Sequence, residues 1–107
     1  MNRTKCVLAF VALVGLTLIA RADNVTVAQK GRVFSSESLS VKKGDTVVFN
    51  NDDSVPHNAV SKSAGNEFDL GYQAPGASTP VTFDKAGDVA VICTIHPKMK
   101  LTIHVTD

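Results

Sequence analysis

The chain has 107 residues and a formal net charge of +1, with 11 basic and 10 acidic side chains. That length sets an expectation of one domain. The basic residues are scattered, with no run longer than Lys42-Lys43, so a nucleic-acid-binding surface finds no support.

In chain order the first feature is a leader. Asn2-Arg3-Thr4-Lys5 is short and basic, Cys6 to Ala20 carries no charge, and Ala20-Arg21-Ala22 closes the stretch with small residues in an A-x-A pattern. These are the parts of a secretory signal peptide, predicted over 1–22 with cleavage after Ala22, which leaves a domain over 23–107 and a periplasmic location. The apolar stretch is shorter than the roughly 20 residues a spanning helix needs, so cleavage is favoured over an uncleaved membrane anchor. No second apolar span follows, so the mature domain is expected to be soluble, with no membrane span. Arg3, Lys5 and Arg21 leave with the leader and no acid does, taking the net charge from +1 to −2.

The remainder reads as all-β. Val25-Thr26-Val27 alternates at period two, Lys43-Gly44-Asp45 is a turn, and Thr46-Val47-Val48-Phe49 is a strand. Ala74-Pro75-Gly76 turns the chain into Thr79 to Phe83, and Lys85-Ala86-Gly87 turns it into Val89 to Cys93. Leu101-Thr102-Ile103-His104-Val105 alternates apolar and polar. Short β-rich runs punctuated by Gly and Pro predict a sandwich or barrel. Ser61 to Gly65 is polar and reads as loop, and Asp52 and Asp53 read as turn residues. His104 falls on the polar phase of the last strand, where no metal role is expected.

After cleavage Cys93 is the one remaining cysteine. A lone thiol in an oxidising compartment is a liability unless it is buried or occupied. A buried, inert cysteine is the bland solution. Its neighbours argue for the other: Cys93-Thr94-Ile95-His96-Pro97-Lys98-Met99 sets a thiolate, an imidazole and a thioether three residues apart in one short loop. His57 follows Pro56 in an upstream loop. One soft thiolate, two imidazoles and a weak axial thioether form the ligand set of a blue-copper electron-transfer site. The expected metal ligands are therefore His57, Cys93 and His96 around the ion with Met99 on the axis, binding one copper that cycles between Cu(I) and Cu(II). Structural zinc rarely uses Met and usually takes more Cys. A C-x-x-C-H haem motif is absent. A nucleophilic Cys–His pair lacks a third partner and a cleft. Four protein ligands leave no open coordination position, so the protein is not expected to be an enzyme. A domain of about 85 residues is small for a self-sufficient core, and a metal would help to hold it.

The region from Val41 to Val105 resembles the cupredoxin family in its plastocyanin, pseudoazurin and amicyanin branch. The resemblance rests on Val41-Lys42-Lys43-Gly44-Asp45-Thr46-Val47, Pro56-His57-Asn58, Phe68-Asp69, Pro75-Gly76, Phe83, Gly87 and the Cys93–Met99 loop. The C-x-x-H-x-x-M spacing is that of the short amicyanin loop. Ile95, Val89, Val91 and Leu101 depart from the family pattern, and none is a ligand. The resemblance implies a Greek-key sandwich of about eight strands with copper at one end. It implies that Asn58 ties the two ligand loops together through Thr94 and that its N–H softens the thiolate charge. It also implies that His96 is the electron's port, at an apolar patch formed by Val55, Pro56, Ile95 and Pro97. A redox partner, a dehydrogenase or a cytochrome, would dock there on a monomeric carrier. A copper-delivery protein without redox turnover is the alternative function.

Overall fold

The structure is a computed structural model that describes residues 22–107. The expected leader, apart from Ala22, lies outside the described residues. Nine strands follow in order: β1 (Asn24–Lys30), β2 (Val33–Phe34), β3 (Ser38–Lys42), β4 (Thr46–Asn51), β5 (Val60–Ser61), β6 (Phe68–Asp69), β7 (Ser78–Thr82), β8 (Gly87–Ile92) and β9 (Lys100–Thr106). They form a four-stranded sheet in the order β2-β1-β4-β7 and a five-stranded sheet in the order β3-β9-β8-β5-β6. The fold is an all-β, cupredoxin-like sandwich. It has nine strands where about eight were expected, because β2 and β6 are pairs of residues too short to show an alternation.

Neither sheet is a simple meander. β1 runs parallel to β4, and β3 runs parallel to β9, so each sheet is closed by strands that lie far apart in sequence. The turn between β3 and β4 shows how the chain crosses. Gly44 takes a φ of 93°, which favours glycine, and the Asp45 N–H donates to the Lys42 carbonyl at 2.9 Å. The Asp45 carboxylate in turn accepts from the N–H groups of Lys42 and Asp23.

Period-two alternation sorts the side chains. Val47, Phe49 and Asn51 of β4 face inward, as do Val89 and Val91 of β8 and Leu101, Ile103 and Val105 of β9. Phe34, Phe49, Phe68 and Phe83 form a chain of ring contacts through the core, with successive centroids 6.2, 6.0 and 5.9 Å apart. Tilted and edge-on pairs of this kind bury large apolar area and fix how the sheets sit on each other.

The same alternation carries the core pattern into the site. Cys93 continues the inward phase of Val89 and Val91, and Met99 precedes that of Leu101 and Ile103. Both are buried. The β8–β9 register pairs Ile92 with Lys100, so Cys93 and Met99 are the next pair, and the Cys93 N–H donates to the Met99 carbonyl at 3.2 Å. No helix among the described residues is long and apolar enough to cross a membrane.

Candidate metal centre

Two loops meet at one end of the sandwich. The first leaves β4 at Asn51 and carries Asp53, His57 and Asn58. It is fixed from behind by buried amides. Asn51 Nδ2 donates to the carbonyls of Val55 at 2.9 Å and Gln73 at 3.0 Å. His57 and Gln73 form an isolated antiparallel bridge, each backbone N–H donating to the other's carbonyl. The fully buried Gln29 adds a bond from Nε2 to the Asn58 carbonyl. The second loop joins β8 to β9, and the Met99 N–H donates back to the His96 carbonyl at 2.9 Å.

These loops bring three of the expected ligands together. One donor atom each from His57, Cys93 and His96 lies within 4.8 Å of the others. The Nδ1 atoms of His57 and His96 are 3.1 Å apart, and Cys93 Sγ lies 3.9 Å from His57 Nδ1. Metal bonds of about 2.0 Å to nitrogen and about 2.3 Å to sulfur span such separations around a single ion. A soft thiolate with two imidazoles suits copper. Met99 is the cross-strand neighbour of Cys93 on the same inner face, where directly opposed Cβ atoms lie about 4.5–5.5 Å apart. His57 and Cys93 are wholly buried, whereas His96 is partly exposed.

Asn58 and Thr94 join the loops. The Asn58 amide donates to Thr94 Oγ1 at 2.7 Å, and the Thr94 N–H donates to Asn58 Oδ1 at 2.8 Å. The Asn58 backbone N–H points at Cys93 Sγ from 3.4 Å. A hydrogen bond of this kind draws negative charge from a thiolate and tunes the metal it binds.

Asp53 is more than a turn residue. Its Oδ2 lies 2.7 Å from His57 Nε2, and its carboxylate accepts from the N–H groups of Gly31 at 2.8 Å and Arg32 at 3.0 Å. The Arg32 N–H, then the contact with His57 and then the Gly31 N–H hold this carboxyl well below the usual carboxylate range. The sequence offers no signal for it beyond its place four residues before a candidate ligand. His104 stands apart from the cluster. It lies on the polar face of β9, with Nδ1 2.7 Å from Asp88 and Nε2 3.2 Å from Ser38.

Around His96 the surface forms a shallow hollow lined by Arg32, Ile95, His96, Pro97 and Lys98. Ile95 is 43% exposed, and Pro97 is exposed beside it. Val55 and Pro56 are half-buried.

Residues 22–106 match the family of copper binding proteins described as the plastocyanin/azurin family, and the chain belongs to it. The chloroplastic plastocyanin of Tetradesmus obliquus is 37% identical over 101 residues, covering 82% of this chain and 70% of that protein. The chloroplastic plastocyanin of Pisum sativum is 30% identical over 116 residues, covering 85% and 68%. A reduced mutant of amicyanin superposes with a TM-score of 0.72 at 26% identity, over 81% of this chain and 85% of that one. A copper-containing nitrite reductase from Thermus scotoductus SA-01 gives a TM-score of 0.73 at 30% identity, over 85% of this chain but only 24% of the reductase. Fold, family and site together define a blue copper protein of the cupredoxin type. It transfers electrons, binds one copper per chain and has no catalytic role of its own.

Proposed function

We propose that the chain is an exported, monomeric carrier of single electrons, with an amicyanin-like copper loop. In this reading His57, Cys93, His96 and Met99 would hold the copper. The observation that carries it is the convergence of two imidazole Nδ1 atoms, 3.1 Å apart, on the buried Cys93 sulfur. The C-x-x-H-x-x-M spacing supports the amicyanin-like placement, and the basic-then-apolar run before Ala22 supports export to the periplasm.

Bound copper supplies the one-electron couple. The chain's part is to hold its donors still and to keep water away. His57, Cys93 and Met99 are at most 1% exposed. A dry, apolar surround lowers the local dielectric and sets the potential of a metal site. The reciprocal Asn58–Thr94 bonds keep the loops at a fixed separation whichever charge the site carries. His96 is the ligand that reaches the surface, in the hollow with Ile95 and Pro97. A dehydrogenase or cytochrome would dock on that hollow, and Arg32 and Lys98 at its rim favour an acidic partner surface.

Electron self-exchange tests this reading. Ile95→Glu should slow self-exchange of the copper-loaded protein at least tenfold and leave its visible spectrum unchanged. An unaltered exchange rate would contradict electron transfer through the His96 face.

A further inference from the structure

The arrangement of the Asp53 carboxylate divides the labour of the His57 ring. Nδ1 faces His96 Nδ1 and Cys93 Sγ, while Nε2, on the far side, faces Asp53 Oδ2 at 2.7 Å. An ionised carboxylate can only accept, so the proton of a neutral ring facing it belongs on Nε2. The Nδ1 lone pair is then free to face the metal site. A ligand imidazole held in this way by a carboxylate is fixed in tautomer and orientation and becomes a stronger donor.

The carboxylate is itself locked. The turn between β1 and β2 places Gly31 and Arg32 in the left-handed region, with φ of 66° and 58°. That backbone is uncommon for a residue with a side chain such as Arg32. It turns two successive N–H groups toward Asp53, Gly31 meeting Oδ1 and Arg32 meeting Oδ2. At the other end, the Asp53 N–H donates to the buried Asn51 Oδ1 at 3.0 Å. A residue needed only to make a turn does not call for an unusual backbone 21 positions away to hold its carboxylate.

We propose that Asp53 is a positioning residue for the metal centre, fixing the His57 ring with Nδ1 toward the copper and biasing the site toward Cu(II). The proposal rests on the blue-copper reading above. The bias follows from charge. An anion across one imidazole ring stabilises the doubly charged ion more than the singly charged one. Through Asp53 the β1–β2 turn becomes part of the metal site, although neither Gly31 nor Arg32 contributes a side chain to this contact.

Two measurements test the proposal, one without copper. In the metal-free wild-type protein, nitrogen-detected NMR should find the neutral His57 ring carrying its proton on Nε2; a proton on Nδ1 would overturn the positioning role. In the copper-loaded protein, Asp53→Asn should shift the Cu(II)/Cu(I) equilibrium about tenfold toward Cu(I), a rise of about 59 mV for one electron. Asp53→Glu, which keeps the charge, should recover most of that shift. Equal potentials in wild type and Asp53→Asn would overturn the bias. If Asp53→Asn does not fold, the wild-type tautomer decides. If wild type fails to form a blue centre, the electron-transfer reading falls, and the metal-free tautomer still upholds or overturns the placement of the ring.

Discussion

Asn58 and Thr94 clasp each other across the two loops, Asn58 donating to the Thr94 hydroxyl at 2.7 Å and accepting from the Thr94 N–H at 2.8 Å. They are 36 residues apart in sequence. One loop carries the proposed ligand His57 and the other the proposed ligands Cys93, His96 and Met99, and this pair bridges them. A net contribution of about 0.5–1.5 kcal/mol per hydrogen bond puts the clasp at about 1–3 kcal/mol. Asn58→Ala should destabilise the metal-free protein by that amount in urea unfolding. A loss below about 0.5 kcal/mol, the scatter of neutral surface changes, would show that the loops are held by other contacts.

Cys93→Ala removes the thiolate and should abolish the intense visible absorption of the copper form. It should also uncouple copper from stability. A ligand that binds only the folded state stabilises it by about 4 kcal/mol at a thousandfold excess over Kd. Copper should therefore raise Tm strongly in the wild type and little in Cys93→Ala. A variant still blue, or still strongly stabilised, would remove Cys93 from the ligand set.

Met99→Gln replaces a weak thioether with an oxygen donor that favours Cu(II). The backbone bonds of Met99 to Cys93 and His96 do not involve its side chain, so the loop should keep its shape. Voltammetry should show copper retained and the potential lowered. An unchanged potential would mean that Met99 is not axial.

Asp45 gives a pH dependence remote from the metal. The N–H groups of Asp23 and Lys42 hold its carboxyl below the ordinary 3.8. The unfolded chain therefore takes up this proton at higher pH than the folded one. The stability Asp45 adds is present above the unfolded value and is lost as pH falls through the folded value. Asp45→Asn should flatten the fall in stability of the metal-free protein below about pH 4. An identical slope in both proteins would contradict the assignment.

How far the sequence alone reached depended on the length and regularity of each signal. β9 announces itself because Leu101, Ile103 and Val105 alternate with Thr102 and His104, and β4 and β8 because each is a valine-rich run that follows a glycine turn, at Gly44 and at Gly87. The two-residue strands β2 and β6 exist only through their partners, Val33 opposite Lys30 and Phe68 opposite Ser61. The cluster of His57, Cys93 and His96 was legible because Cys93 and His96 lie three residues apart and both side chains are chemically distinctive. Asp53 was not. Its partners Gly31 and Arg32 are more than 20 residues away, and an Asp in an Asn-Asn-Asp-Asp-Ser run looks like any turn residue. Gln29 and Gln73 were hidden for a related reason: polar residues are expected outside, yet both are buried beside the His57 loop.

A combined visible and EPR spectrum of the Cu(II)-loaded protein tests the bond between Cys93 and copper most directly. That bond should give an intense thiolate-to-copper absorption and a narrow parallel hyperfine splitting, the signature of a thiolate sharing its charge with the metal. A weak visible band with an ordinary, wide splitting would contradict it, because Cys93 would then not be bound to the copper.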